Sequence, residues 1–108
     1  MTRHQLFEWD ALKARNNAKK HRVTFEDARA VLMDDQAELY HVETYDDKHS
    51  IVEDRYITIG SDPADRAIIL FISWTQRHKK GRTRTRIISA RRATPRERTA
   101  HAQAIKKR

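Results

Sequence analysis

The chain has 108 residues, of which 38% are hydrophobic and 35% charged, with two Gly, two Pro and no Cys. That length fits one compact domain over 1–108, with a thin core partly covered by the stems of long charged side chains; it does not fit a repetitive chain, a disulfide framework, a thiol nucleophile or a cysteine-ligated zinc site. The net charge of +8 is lopsided, because residues 76–108 carry 13 Lys and Arg against one acid, Glu97, while residues 1–75 carry 10 against 14, and a basic third on a mildly acidic body points to a polyanion partner, nucleic acid foremost.

Met1 to Phe7 holds no long apolar run, so no secretory signal is expected there. Leu6 to Trp9 is short and apolar and reads as a first strand. Asp10 can cap a helix from Ala11 to about Lys20, whose slight apolar content keeps it on the surface. Thr24 and Asp27 form a capping box, with Val23 and Ala28 as a weak hydrophobic staple. The second helix then runs from Phe25 to about Met33, with Phe25, Ala28 and Leu32 on one face.

Glu38 to Thr44 reads as a strand and Tyr45 to Ser50 as a polar turn. Arg55 to Ile59 alternates, with Ile57 and Ile59 on one face and Tyr56 and Thr58 on the other. Gly60 to Ala64 carries turn residues. The longest apolar stretch, Ala67 to Ile72, opens a central strand ending at Trp74 and is too short to span a bilayer. Gln76 to Arg82 reads as a charged loop and Thr83 to Ala90 as the last strand. Thr94, Pro95 and Glu97 start a basic helix that ends near Ile105. The expected class is α+β: two N-terminal helices, a small and mainly antiparallel sheet, and a C-terminal helix. The absence of Cys, signal and span together favours the cytoplasm, with no membrane contact.

The six His residues, at 4, 21, 41, 49, 78 and 101, are scattered, and no two lie at i, i+4 on one helix. No metal site and no cofactor is expected from them. Two Gly cannot build a phosphate-cradling loop, and no Gly-x-Ser-x-Gly elbow is present. What remains is Arg, Lys, His and Glu. RNA brings its own nucleophile, the 2′-hydroxyl, so its cleavage needs only a base, an acid and cations for the phosphorane. Lys19, Lys20 and His21 end the first helix, where they also complement its negative terminus. Arg84, Arg86, Arg91 and Arg92 lie on and beyond the last strand, with Arg77 before it. Strict alternation puts Arg84 and Arg86 on the face of Ile88, and Ile87, Ser89 and Arg91 on the other. These arginines can form a phosphate-binding face; a solvated basic edge fits the same spacing.

Phe7-Glu8-Trp9-Asp10, Lys13, Asn17, Lys20-His21 and Val23-Thr24-Phe25-Glu26 resemble the opening of BrnT toxins. Glu53-Asp54-Arg55-Tyr56-Ile57-Thr58-Ile59-Gly60 resembles the family's Glu-x-Arg strand ending in Gly. Thr75-x-Arg77, then Arg86 to Thr94 and Glu97, resemble its closing segment. The resemblance implies a RelE-like fold and a toxin that cleaves RNA without a metal and arrests translation and growth. It implies a cognate ribbon-helix-helix antitoxin, through which alone operator DNA is bound. It makes Lys20, His21, Glu53, Arg55, Arg77, Arg86 and Arg91 catalytic candidates and Lys19, Arg84 and Arg92 RNA-binding ones. Arg86 and Arg91 come first; His21 or Lys20 is the candidate for proton transfer, with Glu53 as the base if they are not. The family usually has Gly after the Lys-His pair, where this chain has Arg22, and the Gln76 to Arg82 loop looks longer than the family's.

A different class of reading is a non-catalytic basic nucleic-acid-binding module, such as a DNA-binding regulator using the last helix. Against it, that helix lacks the partner helix and tight turn of a helix-turn-helix. A third is an interaction protein whose basic face binds an acidic partner.

Overall fold

A computed structural model describes residues 6–108, so His4 and most of the Met1 to Phe7 stretch lie outside the described residues. In chain order the elements are β1 (Leu6–Glu8), α1 (Ala11–His21), α2 (Phe25–Leu32), α3 (Ala37–Tyr40), β2 (His41–Tyr45), β3 (Arg55–Asp62), β4 (Asp65–Lys79), β5 (Arg82–Arg92) and α4 (Pro95–Lys106), with a 3-10 turn at Asp47–His49. The strands form one sheet in the order β1-β5-β4-β3-β2. β1 runs parallel to β5 and the other neighbours are antiparallel. The class is α+β, but a strand leads the chain and the short α3 precedes β2, so helices and strands interleave instead of falling into helices, sheet and helix.

Helix starts follow the local chemistry. The Asp10 carboxylate accepts the Lys13 N–H at 2.9 Å, which also holds its pKa below the ordinary carboxylate value. Thr24 with Asp27, and Thr94 with Glu97, form complete capping boxes. On α2 the buried face is Phe25, Ala28 and Val31; Leu32 is only half-buried. These side chains and Val23 pack on Leu70, Ile72, Trp74, Ile87 and Ala90.

Three readings of element boundaries are corrected. Ala37–Tyr40 is helical, so the strand expected from Glu38 begins only at His41. This turn follows Asp34, whose carboxylate accepts the Gln36 N–H at 3.0 Å, and the α4 side supplies donors to its carbonyls, His101 to Tyr40 O and Arg108 to Glu38 O. Gly60 to Asp62 is strand, not turn: Gly60 pairs with Leu70, and a Cβ there would lie 2.7 Å from His41 Cδ2 and 2.9 Å from Val31 Cγ1. Its glycine serves close packing. Gln76 to Arg82 is not a loop, because β4 and β5 continue as a hairpin with only Lys80 and Gly81 at the turn. Both have positive φ, 53° and 74°, the backbone that a two-residue hairpin turn requires.

Between Ser73↔Ser89 and Trp74↔Ile87 the register skips Ile88, which forms a β-bulge. The bulge overturns the expected alternation. Ile87 and Ala90 both face the core, while Ser89 and Arg91 share the opposite face with Arg84 and Arg86. Beside it, β1 has ended, and Asn17 of α1 stands in for a strand: its side-chain amide donates to Ala90 O at 2.8 Å and accepts the Ala90 N–H at 3.2 Å. α1 therefore lies along the outer edge of β5.

Candidate active site

The face away from α2 carries a cross-strand row, Arg55↔Thr75↔Arg86↔Glu8, spanning β3, β4, β5 and β1. Neighbouring strands lie about 4.8 Å apart, so Arg55 and Arg86 arise about 10 Å from each other across Thr75. One step toward the hairpin tip stands the pair Arg77↔Arg84. One step the other way the floor is Ile57, Ser73 and Ser89, and beyond it lie Phe71 and Arg91. Small hydroxyl side chains thus separate two arginine groups on one half-exposed surface.

Carboxylates position most of these arginines. Glu53, just before β3, lies 3.5 Å from Arg55 and 3.2 Å from Arg77. Arg86 donates to Glu8 at 2.6 Å. Arg91 binds Glu97 in a bidentate pair, at 2.7 and 2.9 Å, with its guanidinium 4.0 Å from the Phe71 ring centre. The Arg91 hydrogen bonds hold the Glu97 carboxyl below its ordinary value, and the same bonds push the guanidinium further up. Thr75 Oγ1 donates to Asp54 O at 2.5 Å and ties the segment holding Glu53 to the sheet. Arg55 Nε and Arg84 Nε are buried without a hydrogen-bond partner among the described residues.

Lys20 and His21 lie elsewhere. With Lys13, Asn16 and Asn17 they line a cleft of about 250 Å³ over the bulged Ile88. Arg86 lines another, of about 370 Å³, with Glu8, Trp9, Arg77, His78, Lys79 and Arg84. Ile88 sits in the chain between Arg86 and Ser89, so the α1 end meets β5 where the two arginine groups divide. The left-handed residue after His21 is Arg22, with φ 58° and ψ 28°; its N–H bonds Ala18 O and ends α1.

The structure thus brings Glu53, Arg55, Arg77, Arg84, Arg86 and Arg91 onto one face. Lys20 and His21 flank it at the β5 edge. Lys19 is exposed on α1, and Arg92 is exposed at the end of β5 on the side of the Leu70 register. The sequence reading missed Glu8 and gave Glu97 only its capping role. The partner of Glu8 lies across strands, although Glu8 stood inside the first motif, and that of Glu97 lies six residues back at the end of β5. Among the described residues no three His, Asp or Glu side chains converge as a metal-binding group, and no helix is long and apolar enough to cross a membrane.

The family described as ribonuclease toxin, BrnT, of type II toxin-antitoxin system matches residues 9–97. That span contains every candidate above except Glu8. No curated protein matches the chain.

Proposed function

The chain belongs to the BrnT family of ribonuclease toxins of type II toxin-antitoxin systems, and from that premise we propose that it is a metal-independent endoribonuclease whose active face is the Arg55–Thr75–Arg86 row with Glu53. The observation that carries this reading is the row itself: guanidinium groups on β3 and β5, either side of Thr75 on β4, each with a carboxylate partner. Two arginines spaced in this way suit the two non-bridging oxygens of one phosphate.

In the proposed reaction the 2′-oxygen attacks the adjacent phosphorus and its proton passes to a base. The bond from phosphorus to the 5′-oxygen breaks, and that oxygen takes a proton from an acid. The products are a 2′,3′-cyclic phosphate and a 5′-hydroxyl. Base and acid must stand on opposite sides of phosphorus. Glu53 lies on the β3 side of the row and His21 with Lys20 on the β5 edge, which supports Glu53 as base and His21 or Lys20 as acid. Arg55 and Arg86 bear the charge that grows on the phosphorane, with Arg77 behind them. Arg91 holds the RNA on the far side of the serine floor, and Lys19 and Arg84 contact flanking phosphates; Arg92, on the Leu70 side, is turned away from this face.

The same arginine face suits an acidic segment of a ribbon-helix-helix antitoxin, which would occupy it and alone bring the toxin to operator DNA in the cytoplasm. The test is incubation of the pure protein with RNA in excess chelator. We expect cleavage to persist and to leave 2′,3′-cyclic ends. Activity that vanishes with chelator and returns with magnesium overturns the mechanism.

A further inference from the structure

β3 ends its pairing with β4 at Arg55↔Thr75, but β4 and β5 continue as a ribbon, which β1 flanks as far as Leu6↔Arg84 and which is two-stranded beyond it. Its register is Gln76↔Thr85, Arg77↔Arg84, His78↔Thr83 and Lys79↔Arg82. Side chains alternate along a strand, so one face of the ribbon carries Arg77, Arg84, Lys79 and Arg82 and the other Gln76, Thr85, His78 and Thr83. All four positions on one side are Lys or Arg, and none on the other is. On that other side the His78 ring is bonded to Thr83 Oγ1 at 2.9 Å. The cationic side is the face of Arg55 and Arg86.

Solvation does not demand this segregation, since charge on either side of a projecting ribbon keeps it soluble. The arrangement also carries a cost, because like charges directly opposite one another destabilise a strand pair. Only Arg77 among the four has an ion-pair partner among the described residues, Glu53 at 3.2 Å. Arg84 adds the buried, unpartnered Nε. A two-residue turn at Lys80 and Gly81 fixes the register, so the cations stand in a fixed ladder with a step of about 6.6 Å. That step is comparable to the phosphate repeat of an extended nucleic-acid strand. Lys79, Lys80, Arg82 and Arg84 also line a cleft of about 440 Å³ at the tip.

We propose that this ladder is a track for the phosphodiester backbone of single-stranded RNA, which continues the cleavage face outward by about two nucleotides. The inference rests on the ribonuclease reading and adds where the substrate strand runs. An acidic protein segment is the other polyanion that fits the charge. RNA fits the pattern better, because the cations repeat at an even step on a sheet face that leads directly to the Arg55–Arg86 row.

The test is the double variant Lys79→Gln/Arg82→Gln, both exposed and outside the cleavage row. Binding is measured by fluorescence anisotropy with 2′-O-methyl RNA, which cannot be cleaved, and kcat and KM are measured on oligonucleotides of increasing length. For longer strands we expect Kd and KM to rise roughly tenfold and the slope of log K against log salt to fall by about 1.4, two single-strand phosphate contacts. We expect kcat, and all constants for the shortest substrate, to stay unchanged. Gln76→Ala/Thr83→Ala, on the uncharged side and outside the Arg86 cleft, should alter nothing. An unaltered RNA affinity and salt slope in the charge variant overturns the track, as does a loss confined to antitoxin binding. Wild-type protein that binds the uncleavable RNA through the ladder but cleaves none would overturn the ribonuclease reading and leave the track standing.

Discussion

Arg91 and Glu97 form a bidentate pair that joins the end of β5 to the first turn of α4, and the Glu97 oxygen that accepts from Arg91 at 2.7 Å also accepts the Thr94 N–H at 2.8 Å. One carboxylate therefore caps a helix and aims an arginine. Arg91→Ala should lower stability by about 1–2 kcal/mol, since it removes a charge-assisted bidentate pair at a half-buried site, and should also cost activity. Glu97→Gln keeps the capping box, which accepts Gln in that position, and should unfold with a smaller loss while still reducing activity. Urea unfolding beside RNA cleavage separates the two effects. An Arg91→Ala protein as active as wild type would make Arg91 a purely structural tie.

Arg86→Ala should remove about 2.7–4 kcal/mol of transition-state stabilisation, roughly 100-fold or more in kcat, if this guanidinium meets the phosphorane. Glu8→Gln leaves Arg86 in place but frees it from the 2.6 Å ion pair, so its loss should be smaller and should be seen in kcat rather than KM. Circular dichroism should be unchanged for both. Full activity in Arg86→Ala would move the chemistry away from the central row.

His21→Gln tests the proposed acid. Loss of the general acid should remove the high-pH limb of the profile of kcat/KM and leave the low-pH limb, which belongs to the base. An unchanged profile would pass the proton donation to Lys20, for which Lys20→Gln is then the measurement.

The elements legible in the sequence are those whose causes are local. Asp10, Thr24 and Thr94 announce their helices because a cap acts on a backbone N–H three residues away. The arginine face was legible only as composition. An extra residue such as Ile88 exists only relative to its partner strand, so alternation read along β5 alone sent Arg91 to the wrong side. The hairpin from Gln76 to Arg82 was hidden by its charge, since a polar ribbon without a core lacks the apolar alternation that marks a strand. Glu8 and Arg86 are 78 residues apart, joined by a parallel pairing that no short-range signal encodes. Gly60 looked like a turn residue because close approach to His41 is invisible without the fold.

Arg22→Gly should stabilise the protein by up to about 1 kcal/mol. Arg22 holds φ 58° and ψ 28°, a left-handed backbone in which a Cβ is strained and Gly is not. The higher entropy of Gly in the unfolded chain offsets part of the gain. Thermal unfolding checks the sign. A less stable Arg22→Gly protein would mean that the Arg22 side chain contributes more than its backbone loses.

His41 makes stability depend on pH. It lies between Gly60 and Val31, and its Nε2 is buried with no hydrogen-bond partner among the described residues. Burial is the main cause that pushes its pKa below the ordinary imidazole value. The Asp34 carboxylate and the Val31 carbonyl oppose the shift, and Arg66 and His101 add to it. In the unfolded chain the ring titrates near 6.5. As pH falls below about 6.5 the unfolded chain takes a proton that the folded chain refuses, so stability drops with falling pH until the lower folded value is reached. Above about 6.5 both states are neutral and His41 contributes no slope. A single group contributes at most about 1.4 kcal/mol per pH unit. The measurement is urea unfolding from pH 8 to pH 5 for wild type and His41→Asn, with the difference in slope assigned to His41. The variant should lose part of the decline below pH 6.5 and keep its behaviour above it. Equal slopes in the two proteins would show that His41 takes up its proton as readily folded as unfolded.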